Sequence, residues 1–135
     1  MSSEEESQQG TDDFPKNKKK ILIVDDDETI LHTLRRFFLR EGFEVLIARN
    51  GLEAKGRLEA EMPSVVLTDI RMASFSGIDL IKFIRHHLKG IPVVAMTAYP
   101  HLCPEKRNGN EAQAYFLKPF DINEMLSTIE KILGG

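Results

Sequence analysis

The chain has 135 residues, 41% of them hydrophobic and 29% charged, which suits a single soluble domain with a sizeable core. Its 18 basic and 21 acidic residues give a net charge of −3, which argues against direct binding to nucleic acid or to an anionic membrane. No apolar run approaches the ~20 residues of a membrane span, and the acidic start of the chain is unlike a secretory signal. The single cysteine, Cys103, excludes an internal disulfide. We therefore expect a cytoplasmic protein.

Residues 1–18 differ in composition from the rest of the chain. This stretch lacks apolar periodicity and is dominated by acidic residues followed by lysines. Such a segment cannot bury enough apolar surface to offset the entropy lost on ordering. We therefore predict a disordered tail over residues 1–18 and one folded domain over residues 19–135.

Short apolar runs alternate with helical periodicity from Lys20 onward. The runs predict five strands, at residues 21–24, 43–48, 65–67, 92–96 and 115–117. The second run is less uniformly apolar than the others, which indicates a position near the edge of the sheet. Helical spacing of apolar residues predicts helices within residues 30–38, 52–61, 78–88 and 122–133, the last with Asp121 as its N-cap. This alternation predicts an α/β fold, with a parallel sheet covered by helices on both faces.

The segment over residues 99–113 breaks the alternation. Pro104 removes a backbone donor and clashes inside a helix, Gly109 lowers helix propensity, and the segment has no apolar stripe. We expect at most one or two turns here, so the helix between the fourth and fifth strands is degenerate.

Polar side chains follow four of the five predicted strands. Because the carboxyl ends of parallel strands meet at one edge of the sheet, we expect these side chains to lie close together. They are Asp25, Asp26 and Asp27 after the first strand, Asp69 after the third, Thr97 after the fourth and Lys118 after the fifth.

This combination of residue types suits phosphoryl chemistry with a metal ion. Carboxylates a few ångströms apart repel each other unless a proton or a cation intervenes. An all-oxygen cluster is typical of Mg²⁺ sites, and a carboxylate beside the ion can attack phosphorus to form an aspartyl phosphate. A lysine and a hydroxyl can then stabilise the phosphoryl oxygens. Taken singly, each residue also fits an ordinary role, as a helix cap or a loop residue.

Four motifs carry a family resemblance: ILIVDDDE, VVLTDIRM, VVAMTAY and YFLKPF, in this order along the chain. Over about residues 19–135 the chain resembles the receiver domain of bacterial two-component response regulators. The resemblance implies a flavodoxin-like, doubly wound five-stranded parallel sheet in the order 2-1-3-4-5. It also implies a phosphorelay switch, not an enzyme acting on external substrates, with a sensor histidine kinase or phosphotransfer protein as phosphodonor and a downstream protein as target.

The resemblance also implies a metal site. Asp69 corresponds to the phosphoacceptor, which becomes an aspartyl phosphate. Asp26 corresponds to a direct ligand of Mg²⁺, and Asp25 to a ligand that acts mainly through water. The backbone carbonyl of Arg71 corresponds to the remaining protein ligand.

A conformational switch is implied in the same way. Thr97 corresponds to the switch hydroxyl and Lys118 to the lysine that binds the phosphoryl group. Tyr115 stands at the aromatic switch position, and the Lys118-Pro119 bond is expected to be cis.

Two other functions remain open at this point. Asp25-x-Asp27-x-Thr29 after an apolar strand also fits the opening motif of haloacid-dehalogenase-like phosphatases, with Thr97 and Lys118 as later members. That reading leaves Asp69 unexplained, and the chain has no room for the extended core of that family. The other alternative is a receiver-like binding module that works without phosphorylation, which the intact set of acids, hydroxyl and lysine disfavours.

Overall fold

Strands and helices alternate along the part of the chain described by this computed structural model, residues 19–72, 75–104, 109 and 111–134. The predicted tail, residues 1–18, lies outside the described residues. The strands of this part are β1 Lys20–Val24, β2 Glu44–Ala48, β3 Val65–Asp69, β4 Val93–Thr97 and β5 Ala114–Leu117. Its α-helices are α1 Glu28–Arg40, α2 Gly51–Ala60, α3 Gly77–His87 and α4 Ile122–Ile132.

All five strands run parallel in one sheet, in the order β2-β1-β3-β4-β5. The central strands β1, β3 and β4 are almost wholly buried, which explains why their sequences are nearly continuous apolar runs. The edge strands β2 and β5 are partly exposed. The predicted fold class and strand order are confirmed, and so is the edge position of the second strand.

Each face of the sheet carries its own hydrophobic core. On one face α1 and α4 contribute buried side chains such as Phe38 and Met125. On the other face α2 and α3 contribute Leu58 and Ile84. Full burial of side chains of this size contributes about 1.5–3 kcal/mol each. The two cores therefore hold the sheet, and the loops at its carboxyl edge, in a fixed arrangement.

The four α-helices begin at side chains that cap their N-termini. In each case the capping oxygen accepts a hydrogen bond from at least one backbone N–H group of the first turn. The caps are Asp27, Asn50, Ser76 and Asp121, so the predicted role of Asp121 is confirmed. Within the described ranges, every helix is too short or too polar to cross a membrane.

The connection between β4 and β5 has no α-helix among its described residues. It contains one 3₁₀ turn, Pro100–Leu102, after which the backbone of Cys103 is extended. Leu102 and the buried Ala112 pack against the core on the α2–α3 face of the sheet. The expected absence of a regular helix is thus confirmed for the described residues, whereas residues 105–108 and 110 lie outside them.

Candidate functional site

The carboxyl ends of the strands bring polar side chains to one edge of the sheet. Asp25 follows β1, Asp69 ends β3, Thr97 ends β4 and Lys118 follows β5. The strand order reverses at this edge, between β1 and β3, which is where open parallel sheets usually bind ligands. Lys118 Nζ lies 2.9 Å from Asp25 Oδ2 and 3.6 Å from Asp69 Oδ1. The structure therefore joins three of these strand ends through direct charge contacts.

Asp25 is a fully buried carboxylate, and both of its oxygens accept hydrogen bonds. Oδ1 accepts from the backbone N–H of Asp27 over 2.9 Å, and Oδ2 accepts from Lys118 Nζ over 2.9 Å. The backbone N–H of Asp25 donates to the carbonyl of Ala48 at the end of β2. A buried carboxylate is tolerated only with such partners, so Asp25 is held in one position.

The Lys118 ammonium is the cation of this cluster. Burial alone lowers the pKa of Lys118, but the hydrogen bond to Asp25 and the negative charges of Asp25 and Asp69 outweigh burial and raise the pKa overall. The peptide bond between Lys118 and Pro119 is cis, as the family resemblance implies. Lys118 therefore remains protonated at neutral pH and faces both buried carboxylates.

Asp69 binds its proton more tightly than an ordinary aspartate. Burial is the main cause, repulsion by Asp25 is the next, and together with a smaller contribution from Asp26 they raise the pKa of Asp69 to about 6. The charge of Lys118 and a hydrogen bond from the Arg71 backbone oppose this rise. Asp69 is therefore mostly ionised at neutral pH.

Asp25, Asp26 and Asp69 form a donor set for a hard cation. Each offers a carboxylate oxygen, and these oxygens lie within 4.8 Å of one another. Two of the three side chains are buried, while that of Asp26 is exposed and opens the cluster to solvent. Mg²⁺ prefers such oxygen ligands and keeps several waters. The donor set fits Mg²⁺, and the role of the Arg71 carbonyl stays a prediction.

The last two acids of the run after β1 have other partners. Asp27 is exposed, and its side chain accepts the backbone N–H groups of Thr29 and Ile30 as the N-cap of α1. Glu28 forms an ion pair with Arg49, the residue after β2. The sequence analysis did not identify the ion pair between Glu28 and Arg49. The signal that could have indicated it is a basic residue directly after an edge strand.

Thr97 and Tyr115 lie on the same face of the sheet. Tyr115 pairs with Ala95, two residues before Thr97, and side chains two apart on a strand share a face. The buried Thr97 Oγ1 accepts the backbone N–H of Tyr99 over 3.0 Å. Tyr115 Oη accepts the backbone N–H of Ala112 over 3.0 Å. Both predicted switch residues thus bind the backbone of the β4–β5 connection.

Gly77, the first residue of α3, allows this helix to approach the end of β3. A Cβ atom at this position would lie 2.1 Å from the carbonyl oxygen of Asp69. The backbone N–H of Gly77 donates to the carbonyl of Ile70 over 2.9 Å, which ties the helix to the same turn. Gly77 therefore helps to position Asp69, a role that the sequence analysis missed because nothing local distinguishes this glycine from a loop glycine.

Two exposed side chains beyond the strand ends contact each other beside the cluster. The guanidinium of Arg71 lies 4.5 Å from the centre of the Tyr99 ring, a cation–π contact. Arg71 follows β3 and Tyr99 follows β4, so the contact joins the two loops. The loops after β3 and β4 are therefore coupled through side chains as well as through the sheet.

A groove of about 520 Å³ lies next to the cluster, between α1 and the start of α4. Its lining is mostly apolar and includes Ile30, Leu34, Phe120 and Ile122. Lys118 also contributes to the lining, so the groove and the charged cluster share this side chain. The molecule thus has an apolar surface directly beside the buried carboxylates.

Known proteins match most of the described chain. The sequence model of the family described as "Response regulator receiver domain" matches residues 21–130. Sporulation initiation phosphotransferase F of Bacillus subtilis is 36% identical over 101 residues, which cover 74% of this chain and 82% of that protein. Polar-differentiation response regulator DivK of Brucella anthropi is 33% identical over 96 residues, which cover 69% of this chain and 78% of that protein.

Solved structures agree with the sequence relatives. Response regulator protein TrrA from Thermotoga maritima, in complex with Mg²⁺-BeF, has a TM-score of 0.78 and 31% identity, and the match covers 84% of this chain and 98% of TrrA. A CheY-like receiver domain protein from Methanospirillum hungatei has a TM-score of 0.77 and 29% identity, with 87% and 95% covered. With the family matched over residues 21–130 and the fold shared with solved receiver domains, the chain belongs to the response regulator receiver domain family.

Proposed function

We propose that Asp69 is the phosphoacceptor of a phosphorelay switch and that its donor is a phosphohistidine on a sensor histidine kinase or phosphotransfer protein. One observation carries the proposal: Lys118 bridges Asp25 and Asp69, at 2.9 and 3.6 Å, within a cluster that also includes Asp26. A nucleophilic carboxylate, a fixed cation and a set of metal ligands thus meet at one strand edge. The folded domain that carries them is residues 19–135, and its expected location is the cytoplasm.

The transfer step needs only groups that the chain and the donor supply. A carboxylate oxygen of Asp69 forms the new P–O bond while the P–N bond of the donor phosphohistidine breaks. The donor imidazole nitrogen keeps the electron pair of that bond and is then protonated by solvent. Lys118 and the Thr97 hydroxyl donate hydrogen bonds to phosphoryl oxygens, which stabilises the charge on the transferred group.

Mg²⁺ is the cofactor that we expect in this site. When bound, the ion neutralises charge on the phosphoryl oxygens. Asp26 would hold it directly, Asp25 mainly through water, and Asp69 and the Arg71 carbonyl would complete the protein ligands. Lys118 already compensates part of the carboxylate charge, so we expect weak binding of the ion before phosphorylation.

A switch that does not act on external substrates explains the acidic run better than a phosphatase does. The phosphatase motif requires Asp27 as a participant in catalysis, but Asp27 is exposed and caps α1. Asp69, which the phosphatase reading leaves without a role, lies within the cluster instead. The completeness of that cluster likewise favours phosphorylation over a binding module that works without it.

The test is phosphoryl uptake from acetyl phosphate in the presence of Mg²⁺, measured by intact-protein mass spectrometry. Wild type should gain one phosphoryl group, and Asp69→Asn should gain none. Asp27→Asn is the matched control: it makes the same substitution on the same edge, keeps a capping side chain, and should be labelled like wild type. Labelling of Asp69→Asn at the wild-type level, or hydrolysis of a generic phosphomonoester by wild type, would refute the proposal.

A further inference from the structure

A buried hydroxyl lies directly before the proposed phosphoacceptor in the chain. Thr68, the residue before Asp69, is fully buried near the end of β3. Its strand partners are Val24 on β1 and Ala95 on β4, both of them fully buried apolar residues. A hydroxyl among apolar neighbours costs free energy unless it is hydrogen-bonded. Thr68 therefore adds to this row of the sheet a polar group that packing of the core does not require.

The Thr68 hydroxyl donates to the backbone carbonyl of Asp69 over 2.9 Å. A hydroxyl has a single proton to donate, and this bond uses it. The N–H of the same peptide unit, that of Ile70, donates to the carbonyl of Met96 on β4 over 3.0 Å. The peptide unit between Asp69 and Ile70 is therefore held at both of its polar atoms, by the neighbouring strand at one and by Thr68 at the other.

The start of α3 leaves little room for a different donor at the Asp69 carbonyl. A Cβ atom at Gly77 would lie 2.1 Å from this oxygen, which shows how closely the helix backbone approaches it. The Gly77 N–H donates to the carbonyl of Ile70 over 2.9 Å, so it is already in use. Without the Thr68 hydroxyl, the buried Asp69 carbonyl would gain a new partner only if its peptide unit moved.

The orientation of this peptide unit also affects the Asp69 side chain. The backbone N–H of Arg71, one peptide unit further along the chain, donates a hydrogen bond to the Asp69 carboxylate. A rotation of the peptide unit after Asp69 would carry the Arg71 N–H away from that carboxylate. The Thr68 hydroxyl and the Asp69 carboxylate are thus connected through two consecutive peptide units.

We propose that Thr68 is a positioning residue for phosphoryl transfer: its hydroxyl fixes the peptide unit after Asp69 and, through it, the Arg71 N–H that holds the Asp69 carboxylate. The inference rests on the proposed function. Attack on phosphorus requires a carboxylate oxygen in a defined place, and a displacement of about 1 Å can slow such a step about a hundredfold. Thr68 acts on the rate only through the backbone that it holds.

Two variants of Thr68 separate its hydrogen bond from its packing. Thr68→Val keeps the branched shape and loses the donor, whereas Thr68→Ser keeps the donor and loses a methyl group. Phosphoryl uptake from acetyl phosphate with Mg²⁺ is followed by intact-protein mass spectrometry, at a temperature where circular dichroism shows both variants to be folded. Uptake should be about tenfold slower in Thr68→Val and within about twofold of the wild-type rate in Thr68→Ser. Each variant removes one group from the core, so destabilisation alone would affect both.

The connection through Arg71 is tested in the unphosphorylated protein, by residue-resolved amide hydrogen exchange with NMR detection. The Asp25 amide, which donates to the carbonyl of Ala48, is the internal reference, because general destabilisation would speed its exchange too. Relative to this reference, the Arg71 amide should exchange about fivefold faster in Thr68→Val than in wild type, the factor expected for loss of one hydrogen bond of ordinary strength. Thr68→Ser should match wild type.

The possible outcomes distinguish this inference from the proposed function. Uptake by Thr68→Val at the wild-type rate would overturn the positioning role, and so would slow uptake by Thr68→Ser. An unchanged Arg71 amide in Thr68→Val would overturn the connection through the backbone. A wild type that takes up no phosphoryl group would instead refute the proposed function, and the positioning role with it.

Discussion

At the scale of single residues, the site brings two buried carboxylates together with one ammonium. Lys118 pairs most closely with Asp25, so Asp69 keeps an incompletely compensated charge and its pKa rises to about 6. The residue that we propose as the phosphoacceptor is thus one whose charged form the fold disfavours. A bound cation, or a phosphoryl group bound together with Mg²⁺, would reduce the electrostatic repulsion between the carboxylates. Ligand binding is therefore coupled to the stability of the domain.

The raised pKa of Asp69 predicts a pH-dependent effect of Asp69→Asn. Between about pH 4 and pH 6 the folded protein keeps a proton on Asp69 that the unfolded chain has lost, so stability falls as pH rises through this range. Asp69→Asn should therefore be more stable than wild type by about 1–2 kcal/mol near pH 7.5, and the gain should vanish below about pH 4. Urea unfolding at both pH values measures the difference. A less stable variant near neutral pH would contradict the prediction, and Asp27→Asn outside the buried cluster is the control.

At the scale of secondary-structure elements, the acidic run after β1 serves two purposes. Asp25 and Asp26 belong to the cluster, whereas Asp27 caps α1 and Glu28 pairs with Arg49. The division follows from backbone direction, because the chain turns into the helix at Asp27 and its side chain faces the free N–H groups of the first turn. The helix-cap interpretation of the acids is thus right for Asp27 and wrong for Asp25.

Asp27→Ala should affect stability without affecting the site. Loss of the cap should lower the free energy of unfolding by about 1 kcal/mol. Phosphoryl uptake from acetyl phosphate with Mg²⁺ should stay at the wild-type level, because Asp27 contributes only its backbone N–H to the cluster. Chemical unfolding and intact mass measure the two quantities. Loss of labelling with an intact fold would place Asp27 in the reaction.

The close approach of α3 to β3 predicts opposite effects at two helical glycines. Gly77→Ala would place a Cβ atom 2.1 Å from the Asp69 carbonyl oxygen, so it should destabilise the domain by about 1–3 kcal/mol and slow phosphorylation by displacing Asp69. Gly56→Ala, in α2, meets no atom within 4 Å and should stabilise the domain by about 0.5–1 kcal/mol. Thermal unfolding distinguishes the two, and equal effects would show that the close approach is unimportant.

At the scale of the whole molecule, the site exists only because four strands that are far apart in the sequence end at one edge of the sheet. Asp25 and Lys118, which form its shortest charge contact, are separated by 93 positions in the sequence. The sheet fixes their positions through two separate cores, one on each face. Any ligand that binds only the folded arrangement therefore stabilises the domain as a whole.

Magnesium should raise the melting temperature of wild type in a concentration-dependent way. Asp26→Ala should remove most of this rise, because the exposed Asp26 is the ligand that we expect to bind directly. Asp25→Ala should retain more of the Mg²⁺ effect but melt lower without the ion, because it leaves Lys118 with only the longer contact to Asp69. Melting curves with and without Mg²⁺ measure both effects, and equal loss of the Mg²⁺ effect in the two variants would contradict the assignment of the direct ligand.

The sequence by itself determined the elements and the residue types of this protein. Strands β1, β3 and β4 are continuous apolar runs because both faces of the sheet are covered. The described part of the β4–β5 connection has only a 3₁₀ turn, which ends two residues before Pro104. The sequence also places the residues at the strand ends together, because parallel strands share a carboxyl edge.

Only the tertiary structure decided which of these residues touch. It paired Lys118 with Asp25 more closely than with Asp69, assigned Asp27 to a helix cap, and joined the hydroxyls of Thr97 and Tyr115 to the backbone of the β4–β5 connection. The contacts of Lys118 join segments far apart in the chain, 93 positions in the case of Asp25, whereas the contacts of Asp27, Thr97 and Tyr115 span two or three positions. All of them depend on the exact placement of side-chain atoms. Local periodicity and composition report burial and backbone preference, but such distances are set by the packing of both cores against the sheet.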